Sequence, residues 1–125
     1  MKPSIHARNS ARKHGGKPED YIDIHEWFDQ TKAHVADMRH RAVLHNAFGI
    51  YLCAQVFGRT RVNSDGKTYD VRDIGEDHVL EDLGRIPSLY ECLAGMKTIP
   101  DVLGARQRKS YRKSYDDLKR KDPEE

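Results

Sequence analysis

T-K-A-H-V-A-D-M-R-H-R-A-V-L-H-N-A-F-G-I-Y-L-C-A-Q-V-F, residues 31–57, contains the longest apolar-rich run of the chain, and its reading decides the fold. Taken as one helix, Val35, Met38, Ala42, Gly49, Leu52 and Val56 make one face. Ala36, Val43, Ala47, Ile50 and Ala54 make a second. A helix apolar nearly all round is a buried helix. The stretch therefore predicts a long central element with the others packed around it. Gly49 predicts a close approach by a neighbour, because glycine weakens a helix unless something else offsets the loss. His45, Asn46 and Gln55 interrupt the run, which excludes a membrane span.

Outward from this stretch, glycine and proline mark the boundaries. Gly15, Gly16 and Pro18 close off residues 1–17, which carry Lys2, Arg8, Arg12, Lys13 and Lys17 and no acid. That segment reads as a basic N-terminal arm. Pro18, Glu19 and Asp20 suit a helix start. Tyr21, Ile24, Trp27 and Phe28 then recur at helical spacing to about Asp29. After Gly58 the period changes to alternation, with Thr60 and Val62 between Arg59 and Arg61. Asn63-Ser64-Asp65-Gly66 supplies a turn, and the whole predicts a β-hairpin over about 59–71. The helical period returns from Asp73 to Leu83, Gly84 stops it, and Pro87-Ser88 opens another short helix. The expected fold is mostly α: a compact helical domain over 18–104 around one buried central helix, with a single hairpin. Residues 105–125 read as a charged helix or tail.

A chain of 125 residues allows one domain, and 37% hydrophobic against 34% charged residues leaves its core thin. Cys53 and Cys92 sit in apolar helical patterns, so they read as buried thiols of a reducing compartment. The polar, basic N-terminus carries no apolar signal run, which predicts a cytoplasmic protein. Arg106, Arg108, Lys109 and Arg112 cluster around Tyr111 and suit nucleic acid through counterion release. Asp116, Asp117, Asp122, Glu124 and Glu125 follow directly and dilute that charge.

Chemistry is concentrated in the polar residues inside the apolar pattern. His45 shares a stripe with Met38, Ala42, Gly49 and Leu52, and Asp37, His40 and Arg41 lie about one turn before it. Glu76 and His78 fall on the later helix, with Glu81 and Asp82 one turn further on. Burying such groups unpaired costs about 1–3 kcal/mol each, so they must meet partners. Two arrangements satisfy them. In one, they form a structural network, with His45 on Glu76 or a carbonyl and Arg41 on Asp37 or Asp82. In the other, His45, His78, Asp37 and His40 supply ligands to a divalent ion such as zinc or manganese. An enzyme built on the second would hydrolyse a phosphate-bearing substrate. Glu76 or Asp37 would act as base and Arg41 would hold the anion. No G-x-S-x-G, G-x-x-x-x-G-K-[ST] or G-x-G-x-x-G string is present, so those chemistries are excluded.

The strings D-Y-I-D-I-H-E-W-F-D (20–29), D-M-R-H-R-A-V-L-H-N (37–46), N-S-D-G (63–66) and R-D-I-G-E-D-H-V-L-E-D-L-G-R-I-P-S (72–88) resemble a family. Its members are small uncharacterised proteins of bacteria, phages and prophages that run R-H-R-A-x-x-H-H and then E-Q-H-V-x-E-D-L-G-x-I-P. The resemblance covers about residues 18–95 and places His40, Arg41, His45, Glu76 and His78 on motif positions. Asn46 stands where a second histidine is usual, and Asp77 where a glutamine is. The resemblance implies a small phage or bacterial protein and carries no reaction with it. The expected function is a metal- or ligand-binding domain with a His/Glu/Asp pocket. The alternative is a non-enzymatic factor that binds a host protein or nucleic acid through its basic ends, in the host cytoplasm if phage-encoded. A homodimer is compatible with either.

Overall fold

Asn46 divides the stretch that the apolar pattern reads as one helix. In the computed structural model, which describes residues 1–95, Asn46 is in extended backbone and its side-chain oxygen accepts the Gly49 amide at 2.9 Å. That makes it the N-cap of a helix that starts only at Ala47. Its amide nitrogen donates back to the carbonyls of Ala42 and Val43. Upstream, Asp37 accepts the Arg39 amide and caps a short 3-10 turn, Met38–Ala42, and Gln30–Ala33 forms another. Short polar side chains that bond nearby amides compete with helix continuation. The predicted helix over 31–57 is therefore two tight turns followed by one helix of eleven residues, Ala47–Phe57. Nor is that helix buried all round, since Phe48, Tyr51 and Val56 are exposed.

In chain order the elements are α1 (Pro3–His14), α2 (Ile22–Phe28), α3 (Ala47–Phe57), β1 (Thr60–Val62), β2 (Thr68–Asp70), α4 (Val71–Leu83) and α5 (Leu89–Ala94). A 3-10 turn, Pro18–Asp20, leads into α2. The two strands pair antiparallel with Arg61 opposite Tyr69, and Gly66 takes the positive φ of their turn. The described residues are thus mostly α with one small hairpin.

The central helix is α4. It packs against α1, α2, α3 and β2 and buries Val71, Ile74, Gly75, Asp77, His78 and Val79. Asp70 caps its start by accepting the Arg72 amide, and Gly84 ends it in a left-handed conformation. Tyr21, Ile24 and Phe28 meet it from the α2 side, and Ile50 and Cys53 from α3.

Residues 1–17 do not form a separate arm. Met1–Ala94 make one compact unit, and α1 turns His6, Ala7 and Ser10 into its interior. Lys2, Arg8, Arg12, Lys13 and Lys17 remain exposed, and Lys13 reaches Asp77 of α4 with its Nζ at 2.7 Å. A buried face made of histidine, alanine and serine gives no hydropathy signal, which is why the segment reads as an arm. The charged segment 105–125, with Arg106, Arg108, Lys109 and Arg112, lies outside the described residues. No described helix is long and apolar enough to cross a membrane.

The close neighbour that Gly49 predicts is its own chain. A Cβ on Gly49 would run into the carbonyl of Leu44, which the Asn46 cap folds over the first turn of α3. Gly49→Ala is expected to cost about 2–3 kcal/mol through overpacking against backbone. Thermal unfolding followed by circular dichroism should show a midpoint lower by roughly 10 °C or more.

Candidate metal centre

Three segments converge on one buried spot. Asp29 follows the last residue of α2, His45 precedes the cap of α3, and His78 and Asp82 project one turn apart from the same face of α4. His45 and His78 are wholly buried, the Asp82 side chain is 1% exposed and that of Asp29 15%. One ligand atom from each lies within 4.8 Å of all the others. His45 Nε2 is 2.9 Å from Asp82 Oδ2, 3.5 Å from Asp29 Oδ1 and 3.1 Å from His78 Nε2. His78 Nε2 is 3.4 Å from both carboxylate oxygens. A tetrahedral ion with ligands at about 2.0–2.1 Å needs ligand-to-ligand edges of about 3.3 Å. The five separations of 2.9–3.5 Å bracket that edge.

Protons alone serve this cluster poorly. A carboxylate only accepts, and a neutral imidazole has one N–H, so two ring nitrogens 3.1 Å apart compete for the same two carboxylates. Burial works to raise the Asp29 and Asp82 carboxyls, yet the imidazoles bonded to them hold both well below the usual carboxylate range. Burial likewise works against charge on His45, and Asp29 and Asp82 reverse it, holding His45 above its ordinary value.

A second histidine layer lies behind the first. His25 Nδ1 is 2.9 Å from His78 Nδ1, and His25 Nε2 is 2.8 Å from Ser10 Oγ. His6 stacks on His78 with ring centres 3.9 Å apart and planes 27° from parallel. Its Nδ1 is 2.6 Å from Glu81, and its Nε2 is 3.2 Å from Asp82 Oδ1 without the alignment of a hydrogen bond. His6, His25 and His78 also bring ring nitrogens together. Stacked rings run their in-plane lone pairs past one another, however, so this trio converges poorly on an ion. His25 is pushed down to about 2, by burial first and then by the neighbouring His78 and His6, and so stays neutral.

Of the residues singled out from sequence, the structure brings His45 and His78 together, keeps Arg41 beside them, and leaves Asp37, His40 and Glu76 out of the ligand set. Asp37 is exposed, caps its turn and pairs with Arg39. His40 is buried by itself, its Nδ1 2.8 Å from the Asp37 carbonyl, and belongs to neither group. Glu76, two residues before His78, points from the opposite side of α4. It is exposed and lines an open groove of about 270 Å³ with Ala47, Ile50, Tyr51, Arg72 and Ile86. Arg41 stays near the cluster, with Nη2 3.7 Å from Asp82 Oδ1 and a buried Nε that has no hydrogen-bond partner among the described residues. Asp29 is the carboxylate that the sequence reading passed over, and Asp82 the one it named only as a partner for Arg41, which does lie beside it. The i,i+4 spacing of His78 and Asp82 was the available signal for one of them.

Residues 1–102 match the family model of a domain of unknown function, DUF6915. The chain belongs to the DUF6915 family. No curated protein and no solved structure matches it. The DUF6915 match begins at the first residue, so α1 lies inside the family domain together with Asp29, His45, His78 and Asp82.

These shifts predict a peaked pH–stability curve for the chelator-treated protein. His45, raised in the fold, contributes stability that is complete below about 6.5 and is lost as pH rises through its folded value. His25, depressed to about 2, contributes stability present above about 6.5 and lost as pH falls. Asp29 and Asp82 add a steeper loss below about 4. Thermal melts in chelator from pH 3 to 9 should peak near 6.5, and the same series on His25→Gln should lose the decline between 6.5 and 4.

Proposed function

We propose that this DUF6915 chain is a metal-binding domain in which Asp29, His45, His78 and Asp82 hold one divalent ion. The reading is carried by the five ligand-atom separations of 2.9–3.5 Å among two imidazole nitrogens and two carboxylate oxygens. Mixed nitrogen and oxygen donors in a closed set of four suit zinc, and manganese accepts the same donors with less regard for geometry. The ion neutralises the two buried carboxylates and removes the competition between the two rings. It also joins the end of α2, the entry to α3 and the middle of α4, which lie far apart in sequence. In a chain with a thin apolar core, such a link contributes directly to folding.

A second reading, hydrolysis of a phosphate-bearing substrate, is favoured by Arg41. Its guanidinium lies beside Asp82 with a nitrogen unpartnered among the described residues, where an anion bound at the centre would meet it. In that case only three of the four side chains would hold the ion, and water in the open fourth position would have its pKa lowered. Glu76 is on the far face of α4 and does not act as base in this scheme.

Elemental analysis of protein purified without a polyhistidine tag should find close to one equivalent of zinc or manganese per chain. Chelator should lower the melting midpoint by roughly 10 °C or more, and His78→Ala or Asp82→Ala should abolish both metal and chelator response. Asp37→Ala should change neither. A metal-free protein whose melt ignores added divalent ions overturns the reading. For the hydrolase reading, the loaded protein should cleave a chromogenic phosphate ester, and Arg41→Ala should raise KM.

A further inference from the structure

We propose that His25 is a positioning residue for this centre, accepting a hydrogen bond from His78 Nδ1 and so fixing the tautomer that turns His78 Nε2 toward the ion. The inference rests on the metal-centre reading and adds to it the outer layer that orients a ligand.

His78 has two ring nitrogens and two distinct surroundings. Its Nε2 lies 3.1–3.4 Å from the ligand atoms of His45, Asp29 and Asp82. An ion there needs the lone pair on Nε2, so the single proton of the neutral ring belongs on Nδ1. The atom that faces His78 Nδ1 is His25 Nδ1, 2.9 Å away. It accepts that proton's bond only if His25 carries its own proton on Nε2. Ser10 Oγ, 2.8 Å from His25 Nε2, is the acceptor for it. Each assignment forces the next, and the direction runs from the ion outward: His78 Nδ1–H to His25, His25 Nε2–H to Ser10. His25 and His78 are wholly buried and Ser10 nearly so, which leaves no water to take over either bond. A ligating imidazole held in this way is more basic and better aimed, and loss of such a partner typically lowers metal affinity 10–100-fold. Helix α1 therefore contributes to the centre without supplying a ligand, through Ser10.

The zinc-loaded protein, full length, tests this in two ways. Long-range proton–nitrogen correlation NMR on the wild type should show His78 protonated at Nδ1 and His25 at Nε2. Competition with a chromophoric chelator should show zinc binding weakened 10–100-fold in His25→Leu. His25→Asn, whose Oδ1 stands where His25 Nδ1 does and can accept from His78 Nδ1, should recover to within a few-fold of wild type. The cobalt-substituted spectrum of His25→Leu should shift, which a purely packing role would not produce. Wild-type affinity and spectrum in His25→Leu overturn the proposal while Asp82→Ala still loses zinc and the centre itself stands. His25 protonated at Nδ1, or His78 bound to zinc through Nδ1, overturns it as well. If His25→Leu does not fold, the wild-type tautomers and the His25→Asn affinity decide. Failure of the wild type to take up zinc or manganese overturns the metal centre, and the His25 role with it.

Discussion

Two carboxylates buried among imidazoles are the constraint around which this fold is organised. Asp82 is almost completely withdrawn from water, Asp29 largely so, and the rings of His45 and His78 face both. Taking a carboxylate out of water costs several kcal/mol unless its partners are well placed. The placement of α2, of the turn before α3 and of α4 must therefore satisfy these four side chains before it satisfies any apolar contact. The apolar residues follow. Phe28 stacks on His78 with ring centres 4.8 Å apart, so the aromatic core and the polar cluster share a boundary.

How far the sequence revealed this depends on what kind of side chain each element buries. Helix α2 shows Tyr21, Ile24 and Phe28 at helical spacing, and the hairpin shows alternation around an Asp-Gly turn, so both are visible to hydropathy. Helix α1 is not, because His6 and Ser10 are its inward residues. The stretch 31–57 misleads for the opposite reason. Its apolar content is high throughout, and what breaks it is hydrogen bonding by Asp37 and Asn46 to backbone amides. A pattern of hydrophobicity does not contain that information.

The site was legible in its imidazoles, half legible in Asp82, which reads as a partner for Arg41, and illegible in Asp29. His45 and His78 stand out as polar groups in apolar surroundings, which is a local property of the sequence. Asp29 becomes a neighbour of His45 only because α2 ends where it does and the following turns fold back, a tertiary fact. Asp37 and His40, three residues apart, would share a face only if the backbone there were an α-helix. The backbone there is a 3-10 turn, and its polar groups serve the turn itself.

The order of the participants along the chain has a kinetic consequence. Asp29 and His45 come early, His78 and Asp82 late, and His25 precedes its α4 partner His78 by more than half of the described chain. The inward faces of α1 and α2 meet each other through Ser10 and His25, but His25 Nδ1, Asp29 and His45 lack their partners on α4 until residues 71–83 arrive. Closing loops of this length before any contact is rewarded carries an entropic cost that local helix pairs avoid. Chains rich in such distant contacts fold more slowly than helical bundles of equal size. During synthesis the N-terminal half of this molecule must wait, still partly unsatisfied, for the helix that completes it.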